Sequence, residues 1–187
     1  MADWNTRINL VSRQDAAHLV ERHILHALCL TRFIAFQPGV QLVDVGSGGG
    51  LPGLPIAIAC PQVSVTLLDS IRKKIYVVDD IIGQLRLPNA EVYCTRAEAH
   101  TGQYDFVLGR AVTRLPEFYA QTKHLLHCRS RHSLPNGVLY LKGGDVSEEL
   151  KALPVPARVQ SLYEIIPLPW YETKILVYLE HCSGLNN

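Results

Sequence analysis

Residues 42–53 read LVDVGSGGGLPG, an apolar run that leads directly into a cluster of glycines. Glycine tolerates positive φ angles and lets a ligand approach the backbone without a Cβ in the way. In an open α/β sheet, ligands bind at the carboxyl ends of the strands, where such a turn lies. The stretch therefore predicts a ligand-binding turn between a buried strand and a helix.

Two classes of ligand fit this turn. Gly48, Gly50 and Gly53 satisfy the GxGxxG pattern of dinucleotide-binding proteins. Asp44, however, lies two residues before Gly46, and a carboxylate beside a pyrophosphate is unfavourable. A carboxylate suits a ligand with a cationic amino-acid end, such as S-adenosylmethionine. We favour the methyl donor, and a dinucleotide stays open as the alternative.

The rest of the chain alternates short apolar runs with helical segments, which is typical of a parallel α/β sheet covered on both faces. Two later runs, Val159–Ile166 and Ile175–Glu180, predict an antiparallel pair at one sheet edge. The fold class is therefore a doubly wound α/β domain. The other predicted strands are Val40–Val45, Val63–Leu68, Ala90–Cys94, Phe106–Leu108 and Val138–Leu141, and the predicted helices are Leu54–Cys60, Arg72–Leu85 and Leu115–Leu126.

A separate helical segment precedes the glycine turn. Apolar residues recur at helical spacing from Ala16 to Leu30, Ser12 is the expected N-cap, and Pro38 and Gly39 end the segment. We therefore predict an N-terminal helical extension over residues 1–38, the α/β domain over 39–182 and a tail over 183–187.

The composition excludes several classes of protein. The chain has 187 residues, of which 48% are apolar, and a net charge of +1, which excludes a disordered chain. It has no apolar run of membrane-spanning length and no secretory pattern, so we expect a cytoplasmic protein. Five cysteines without a close pair predict reduced thiols rather than a disulfide framework or a zinc site. The net charge near zero also predicts that any contact with nucleic acid uses a local basic patch.

Polar residues follow the later strands of the predicted sheet. Asp69 ends the second strand, where a carboxylate can accept hydrogen bonds from ribose hydroxyls. Ala97 and Glu98 follow the third strand and border the expected place of a nucleobase. Arg110 ends the fourth strand, and its planar fork of donors suits a carboxylate, a phosphate or a purine edge.

Together these motifs resemble the bacterial 16S ribosomal RNA guanine-N7 methyltransferases, also called glucose-inhibited division protein B or RsmG. The matching segments run in family order over nearly the whole chain. The GLPGLP run at 50–55 is much more specific than a bare glycine motif. The segments are Asn9-Leu10, Glu21-Arg22-His23, Val43–Gly48, Gly50–Pro55, Thr66–Ser70, Arg96–Glu98, Arg110-Ala111 and Leu141–Gly143.

The resemblance implies a class I S-adenosylmethionine-dependent methyltransferase: a Rossmann-like, seven-stranded, mostly parallel sheet with an antiparallel edge strand. It implies S-adenosylmethionine as the donor and N7 of one guanine in 16S rRNA of the small ribosomal subunit as the acceptor. No metal, no membrane and a monomer are expected. The implied cofactor contacts are Gly46, Leu51, Ala97, Glu98 and Arg110, to which the general class I pattern adds Asp69.

No catalytic base is required, because guanine N7 already carries a free lone pair, and Arg110 is the candidate for positioning. Two alternatives stay open: a methyltransferase with another acceptor, and a nucleoside-binding ribosome-assembly factor with little catalysis. Relatives usually carry further helical turns before Trp4, which implies altered RNA binding. His26 stands where relatives tend to carry Asp.

Three basic groups are candidates for RNA contact: residues 72–74, residues 123–124 and the loop 129–132, of which the loop is the most accessible in the sequence. His18, His23 and His26 recur at helical spacing. Because no third ligand accompanies them, we interpret them as ordinary helix histidines rather than as a metal site.

Overall fold

The computed structural model describes residues 2–5, 8, 10, 15–129, 132 and 134–181, and the fold is built on one seven-stranded sheet. The strand order is β3-β2-β1-β4-β5-β7-β6. The strands are β1 (Gln41–Val45), β2 (Ser64–Asp69), β3 (Ala90–Cys94), β4 (Phe106–Arg110), β5 (Gly137–Gly143), β6 (Ala157–Ser161) and β7 (Lys174–Glu180).

The sheet is parallel from β3 to β5, and β7 runs antiparallel to both β5 and β6. The predicted fold class is therefore confirmed. The chain reverses its direction of strand addition beside β1, because β2 and β4 flank it on opposite sides. Ligands of open α/β sheets bind at such a reversal, outside the carboxyl ends of the strands.

Helices cover the two faces of the sheet. They are α1 (Ala2–Asn5), α2 (Leu25–Phe33), α3 (Gly53–Ala59), α4 (Arg72–Leu85), α5 (Leu115–Thr122) and α6 (Ser147–Lys151). One apolar core packs on the side of α2, α3 and α4, and a second packs on the side of α5. Strands β1 and β4 contribute side chains to both cores, which explains why their sequences are continuously apolar. No helix in the described part of the chain is long and apolar enough to cross a membrane.

The N-terminal segment changes its helical type along its length. A 3₁₀ turn over Ala16–His18 and a π-helical turn over Val20–Ile24 lead into α2. Single π-helical turns often occur at functional sites. The predicted N-cap Ser12 lies outside the described residues.

Two sequence predictions need correction. The sixth strand is Ala157–Ser161 rather than Val159–Ile166, because the chain turns after Leu162, whose carbonyl accepts hydrogen bonds from the Ile165 and Ile166 amides. The side chain of Leu162 is fully buried and anchors this turn. The expectation that all the cysteines are reduced is also wrong, because Cys128 is disulfide-bonded, whereas Cys29, Cys60 and Cys94 are free.

Candidate functional site

The glycine turn after β1 is closed by backbone hydrogen bonds. The amides of Gly46 and Ser47 both donate to the Leu68 carbonyl at 2.9 Å, which ties the turn to β2. Gly46 has a φ of 70°, and a Cβ there would lie 2.9 Å from a methyl group of Val112. Glycine is therefore required at position 46 by both its backbone angle and its neighbour.

Asp44 lies beneath this turn rather than in open contact with solvent. Its side chain is fully buried, and Oδ2 accepts a hydrogen bond from the Gly53 amide at 2.7 Å, at the start of α3. Burial raises the pKa of Asp44 to about 7, which the Gly53 hydrogen bond and nearby Arg110 only partly oppose. Oδ1 has no hydrogen-bond partner among the described residues. Asp44 therefore supports the glycine turn from beneath, and it is absent from the lining of both clefts at this end of the sheet.

Asp69 connects the glycine turn to the start of α4. Its Oδ2 accepts a hydrogen bond from the Gly48 amide at 2.9 Å, and its Oδ1 accepts one from the Ile71 amide at 2.8 Å. Each carboxylate oxygen has a further lone pair, so these two bonds leave acceptor capacity for ribose hydroxyls. The carboxylate is thus held in a fixed orientation by the backbone around it.

A first cleft of about 180 Å³ opens at the carboxyl ends of β1, β2 and β3. Ala97 is small and buried, so it leaves room at the wall, and Glu98 is exposed at the rim. The Ala97 carbonyl accepts a hydrogen bond from His124 Nε2 at 3.2 Å, which holds this wall. The cleft is lined by Val45, Gly46, Leu68, Asp69, Ser70, Thr95, Arg96, Ala97, Glu98, Val112 and Gln121.

A second cleft of about 260 Å³ lies beside the first, at the ends of β4 and β5. It is strongly basic, and no carboxylate lines it among the residues that the structure describes. Trp170, Leu141 and Ala111 supply its apolar surface. The cleft is lined by Arg22, His23, His26, Arg110, Ala111, Leu141, Lys142, Gly143, Trp170 and Lys174.

The loop after β4 separates the two clefts. Arg110 and Ala111 line the second cleft, whereas the next residue, Val112, lines the first. Ala111 has a φ of 52°, a backbone conformation that is unfavourable for a residue with a side chain. Ligands bound in the two clefts would therefore meet across residues 110–112.

Tyr140 of β5 holds this loop in place. Its hydroxyl accepts hydrogen bonds from the amides of Val112 at 2.7 Å and Thr113 at 3.0 Å, and it donates to the Thr113 carbonyl at 2.9 Å. The ring is fully buried and packs edge-to-face on Phe118, with centroids 4.7 Å apart. These contacts tie the loop to β5 of the sheet through a buried ring.

Arg110 and His23 meet in the second cleft, where Arg110 Nη1 lies 2.9 Å from His23 Nδ1. A guanidinium only donates, so His23 Nδ1 is the acceptor and the proton of the neutral ring is on Nε2. Burial, followed by the charge of Arg110, lowers the pKa of His23 to about 4. Burial and the same arginine lower the pKa of His26 to about 3. Both imidazoles are therefore uncharged at neutral pH.

The C-terminal part of the chain holds the histidine segment against the sheet. Tyr171 donates a hydrogen bond to the carbonyl of Glu21 in the π-helical turn. His26 packs edge-on against Trp170, with ring centroids 5.3 Å apart, and Lys174 Nζ lies 4.6 Å from the centre of the indole. The second cleft is thus assembled from residues that are far apart in the sequence.

The structure brings together four of the six predicted cofactor contacts. Gly46, Asp69, Ala97 and Glu98 line the first cleft. Arg110 lines the second cleft. The sixth predicted contact, Leu51, is buried in the glycine turn and is absent from the lining of both clefts.

Sequence reasoning missed Tyr140, Trp170 and the role of His23. His23 belongs to the Glu21-Arg22-His23 family segment, so a signal existed, but helical spacing favoured an ordinary helix histidine. Tyr140 and Trp170 carried no signal, because their roles depend on contacts with distant residues. Among the residues that the structure describes, no group of histidine, cysteine and carboxylate side chains could hold a metal ion.

The candidate RNA-binding groups lie at opposite ends of the parallel strands. Arg72 and Lys73 are exposed at the start of α4, at the carboxyl ends of the strands, where the two clefts lie. The loop before β5 lies at the amino ends. There the His132 side chain is only 5% exposed and lies 3.4 Å from buried Asp105, so it is not available to a phosphate. Arg131 lies outside the described residues.

The arrangement of the sheet and its two clefts defines a class I methyltransferase fold. A SAM dependent methyltransferase from Aquifex aeolicus superposes with a TM-score of 0.64 at 13% sequence identity, covering 96% of this chain and 97% of that one. TrmN from Thermus thermophilus gives a TM-score of 0.61 at 20% identity, covering 83% of this chain and 48% of TrmN.

Sequence similarity identifies the family. The family model GidB, described as rRNA small subunit methyltransferase G, matches residues 1–165. Proteins named ribosomal RNA small subunit methyltransferase G are 44% identical in Flavobacterium johnsoniae and 37% identical in Bacteroides thetaiotaomicron. The alignments cover 95% and 94% of this chain and 84% and 85% of those proteins. The chain belongs to the rRNA small subunit methyltransferase G family, which confirms the predicted S-adenosylmethionine-dependent methyltransferase class over a dinucleotide enzyme.

Proposed function

We propose that this chain transfers a methyl group from S-adenosylmethionine to N7 of a guanine in 16S rRNA of the small ribosomal subunit. The observation that carries the proposal is the junction of the two clefts at residues 110–112, in a chain of this family. One cleft is suited to a nucleoside, and its neighbour is basic and of a size for a base.

The first cleft fits the cofactor in its chemistry. The carboxylates of Asp69 and Glu98 would accept hydrogen bonds from ribose hydroxyls and an adenine amine, and the small side chain of Ala97 leaves room for a ring. Asp44, buried beneath the glycine turn, would in its ionised form favour a ligand with a cationic end. We propose that Gly46 and Leu51 position the amino-acid end at this turn.

When bound, S-adenosylmethionine supplies an electrophilic methyl group on a sulfonium. Guanine N7 has a free lone pair, so no residue has to remove a proton before attack. The contribution of the chain is orientation: it holds the two reactants within about 3–3.5 Å and in line. We assign this to Arg110 and to the loop that Tyr140 fixes. The uncharged rings of His23 and His26 add no positive charge beside a base that becomes cationic.

The finer assignments are proposals as well. We propose that the protein acts as a monomer, and a ribosomal substrate implies the cytoplasm. We propose that residues 39–182 form the methyltransferase domain and that the 1–38 extension completes the acceptor side, because His23 and His26 line the second cleft.

The test is a methyl-transfer assay with labelled S-adenosylmethionine and small subunits from a strain that lacks the modification. We expect label in 16S rRNA at a single guanine. The RNA chain should be cleaved at that guanine under conditions specific for N7-methylguanine. Naked 16S rRNA is assayed in parallel. Cofactor binding without transfer to either substrate would instead favour the ribosome-assembly factor, and label in protein or DNA would favour another acceptor.

A further inference from the structure

Among the residues that the structure describes, the lining of the second cleft presents hydrogen-bond donors and no carboxylate acceptor. Arg22, Arg110, Lys142 and Lys174 carry only donor groups in their side chains. The Nη1 of Arg22 is paired with Asp15 at 3.1 Å, and the Nζ of Lys142 is paired with Glu149 at 2.7 Å.

His23 adds a donor whose direction is fixed by its neighbour. Because Arg110 donates to Nδ1, the ring proton is on Nε2, and this N–H is solvent-excluded without a hydrogen-bond partner in the described part of the chain. A buried donor without a partner is unfavourable by itself and is stabilised when a ligand supplies an acceptor. His23 lines the second cleft, so a ligand that reaches its ring from this cleft would supply such an acceptor. The Nε2 of His26 and the Nε of Arg22, in the same cleft, are also buried without a hydrogen-bond partner among the described residues.

Guanine and adenine differ on the edge that carries N7. Guanine presents the acceptors N7 and O6, whereas adenine presents the acceptor N7 beside an amino donor. A donor at the wall of the cleft therefore pairs with guanine O6 and opposes the adenine amine. N7 itself has to stay free of donors to accept the methyl group, which leaves O6 as the atom to be read.

We propose that His23, with its tautomer fixed by Arg110, determines guanine specificity by donating from Nε2 to O6 of the acceptor base in the second cleft. This inference rests on the proposed function. It extends that function by naming the residue that distinguishes guanine from adenine and the atom that it reads. Trp170 and Leu141 supply the apolar surface against which the base lies.

The experiment removes the two partners of the proposed hydrogen bond, the His23 side chain and guanine O6, separately and then together. Small subunits are reconstituted with guanine or 2-aminopurine at the position that the wild-type enzyme methylates; 2-aminopurine keeps N7 and lacks O6. The enzymes are wild type, His23→Leu and His23→Gln, with His18→Leu as the matched control, because His18 is an exposed histidine of the same segment. The measured quantity is kcat/KM for transfer of the labelled methyl group, with a melting temperature for each variant.

The loss of one hydrogen bond predicts about a 10-fold fall in kcat/KM for the wild type on 2-aminopurine. His23→Leu should lose about as much on guanine and lose little more on 2-aminopurine, because the same bond is already absent. His23→Gln should retain the discrimination, since its amide oxygen can accept from Arg110 while its amide nitrogen donates to O6. His18→Leu should behave as wild type on both substrates.

The inference would be overturned if the loss in kcat/KM caused by His23→Leu and the loss caused by 2-aminopurine multiplied when the two changes are combined. It would also be overturned by a wild-type enzyme that does not distinguish guanine from 2-aminopurine. The second result needs no variant, so it holds even if His23→Leu does not fold. Failure of the proposed function would look different: the wild type would not methylate guanine N7 in any substrate. Methylation of guanine with unchanged selectivity in both His23 variants would refute only the role of His23.

Discussion

Replacement of Tyr140 by phenylalanine tests whether the loop between the clefts has to be held rigidly. The change keeps the buried ring and deletes one hydroxyl, which makes three hydrogen bonds to Val112 and Thr113. Each bond contributes about 0.5–1.5 kcal/mol net, and water can reach part of the freed backbone, so we expect a loss of about 2 kcal/mol in the free energy of unfolding. For a chain of this size, that corresponds to roughly 4–8 °C in melting temperature.

The same substitution should impair methyl transfer. Residues 110–112 separate the clefts, and a displacement of about 1 Å between reactants can lower the rate about 100-fold. We therefore expect kcat to fall between about 10-fold and 100-fold, measured by single-turnover transfer from labelled S-adenosylmethionine. Tyr178→Phe is the matched control, since that buried hydroxyl donates one bond, to the Pro135 carbonyl at 2.7 Å, at the far edge of the sheet. If Tyr140→Phe lost stability but kept the turnover of the control, the reasoning would be refuted.

Three further predictions concern charge. Arg110→Ala should lower the rate of methyl transfer about 100-fold or more. Titration calorimetry measures cofactor binding in the same variant, and near-normal turnover would show that Arg110 is not part of the site. Because the pKa of Asp44 is raised to about 7 in the folded protein, Asp44 keeps a proton that the unfolded chain loses, and the free energy of unfolding should fall as the pH rises from about 4 to 7. In urea titrations, Asp44→Asn should remove a few kcal/mol of this fall, whereas Asp79→Asn, at an exposed position, should not. Alanine at all three positions 72–74 should reduce the slope of log affinity for RNA against log salt by roughly 2, and a slope that responds instead to Arg129→Ala would place the RNA at the amino ends of the strands.

Sequence patterns predicted those parts of the molecule that depend on local chemistry. The glycine turn, the alternation of strands and helices, and Asp69 at the end of β2 follow from apolar periodicity and from the backbone needs of a tight turn. The seven-stranded sheet was implied by the family resemblance, the antiparallel pair was predicted from the two apolar runs near the C-terminus, and both are present. The end of β6 was wrong because buried Leu162 continues the apolar pattern while the backbone already turns.

The second cleft could not be predicted in the same way. It depends on pairs such as His23 with Arg110 and Tyr171 with Glu21, which are separated by 87 and 150 residues in the chain. Asp44 shows a related limit. Its position predicted a carboxylate near the ligand, but only the packing around Gly53 shows that the group is buried and that its pKa is raised.

The hydrogen bond from Tyr171 to the Glu21 carbonyl has a consequence for biosynthesis. The first cleft is lined by residues 45–121, and its Val112 wall is held by Tyr140, so the parts that build this cleft are all made by residue 140. The second cleft needs Trp170 and Lys174 to dock on a segment that was made some 150 residues earlier. During synthesis, the residues that build the first cleft are therefore complete before those of the second cleft, in which the RNA base would bind. The chain can methylate RNA only after its last strand has been made.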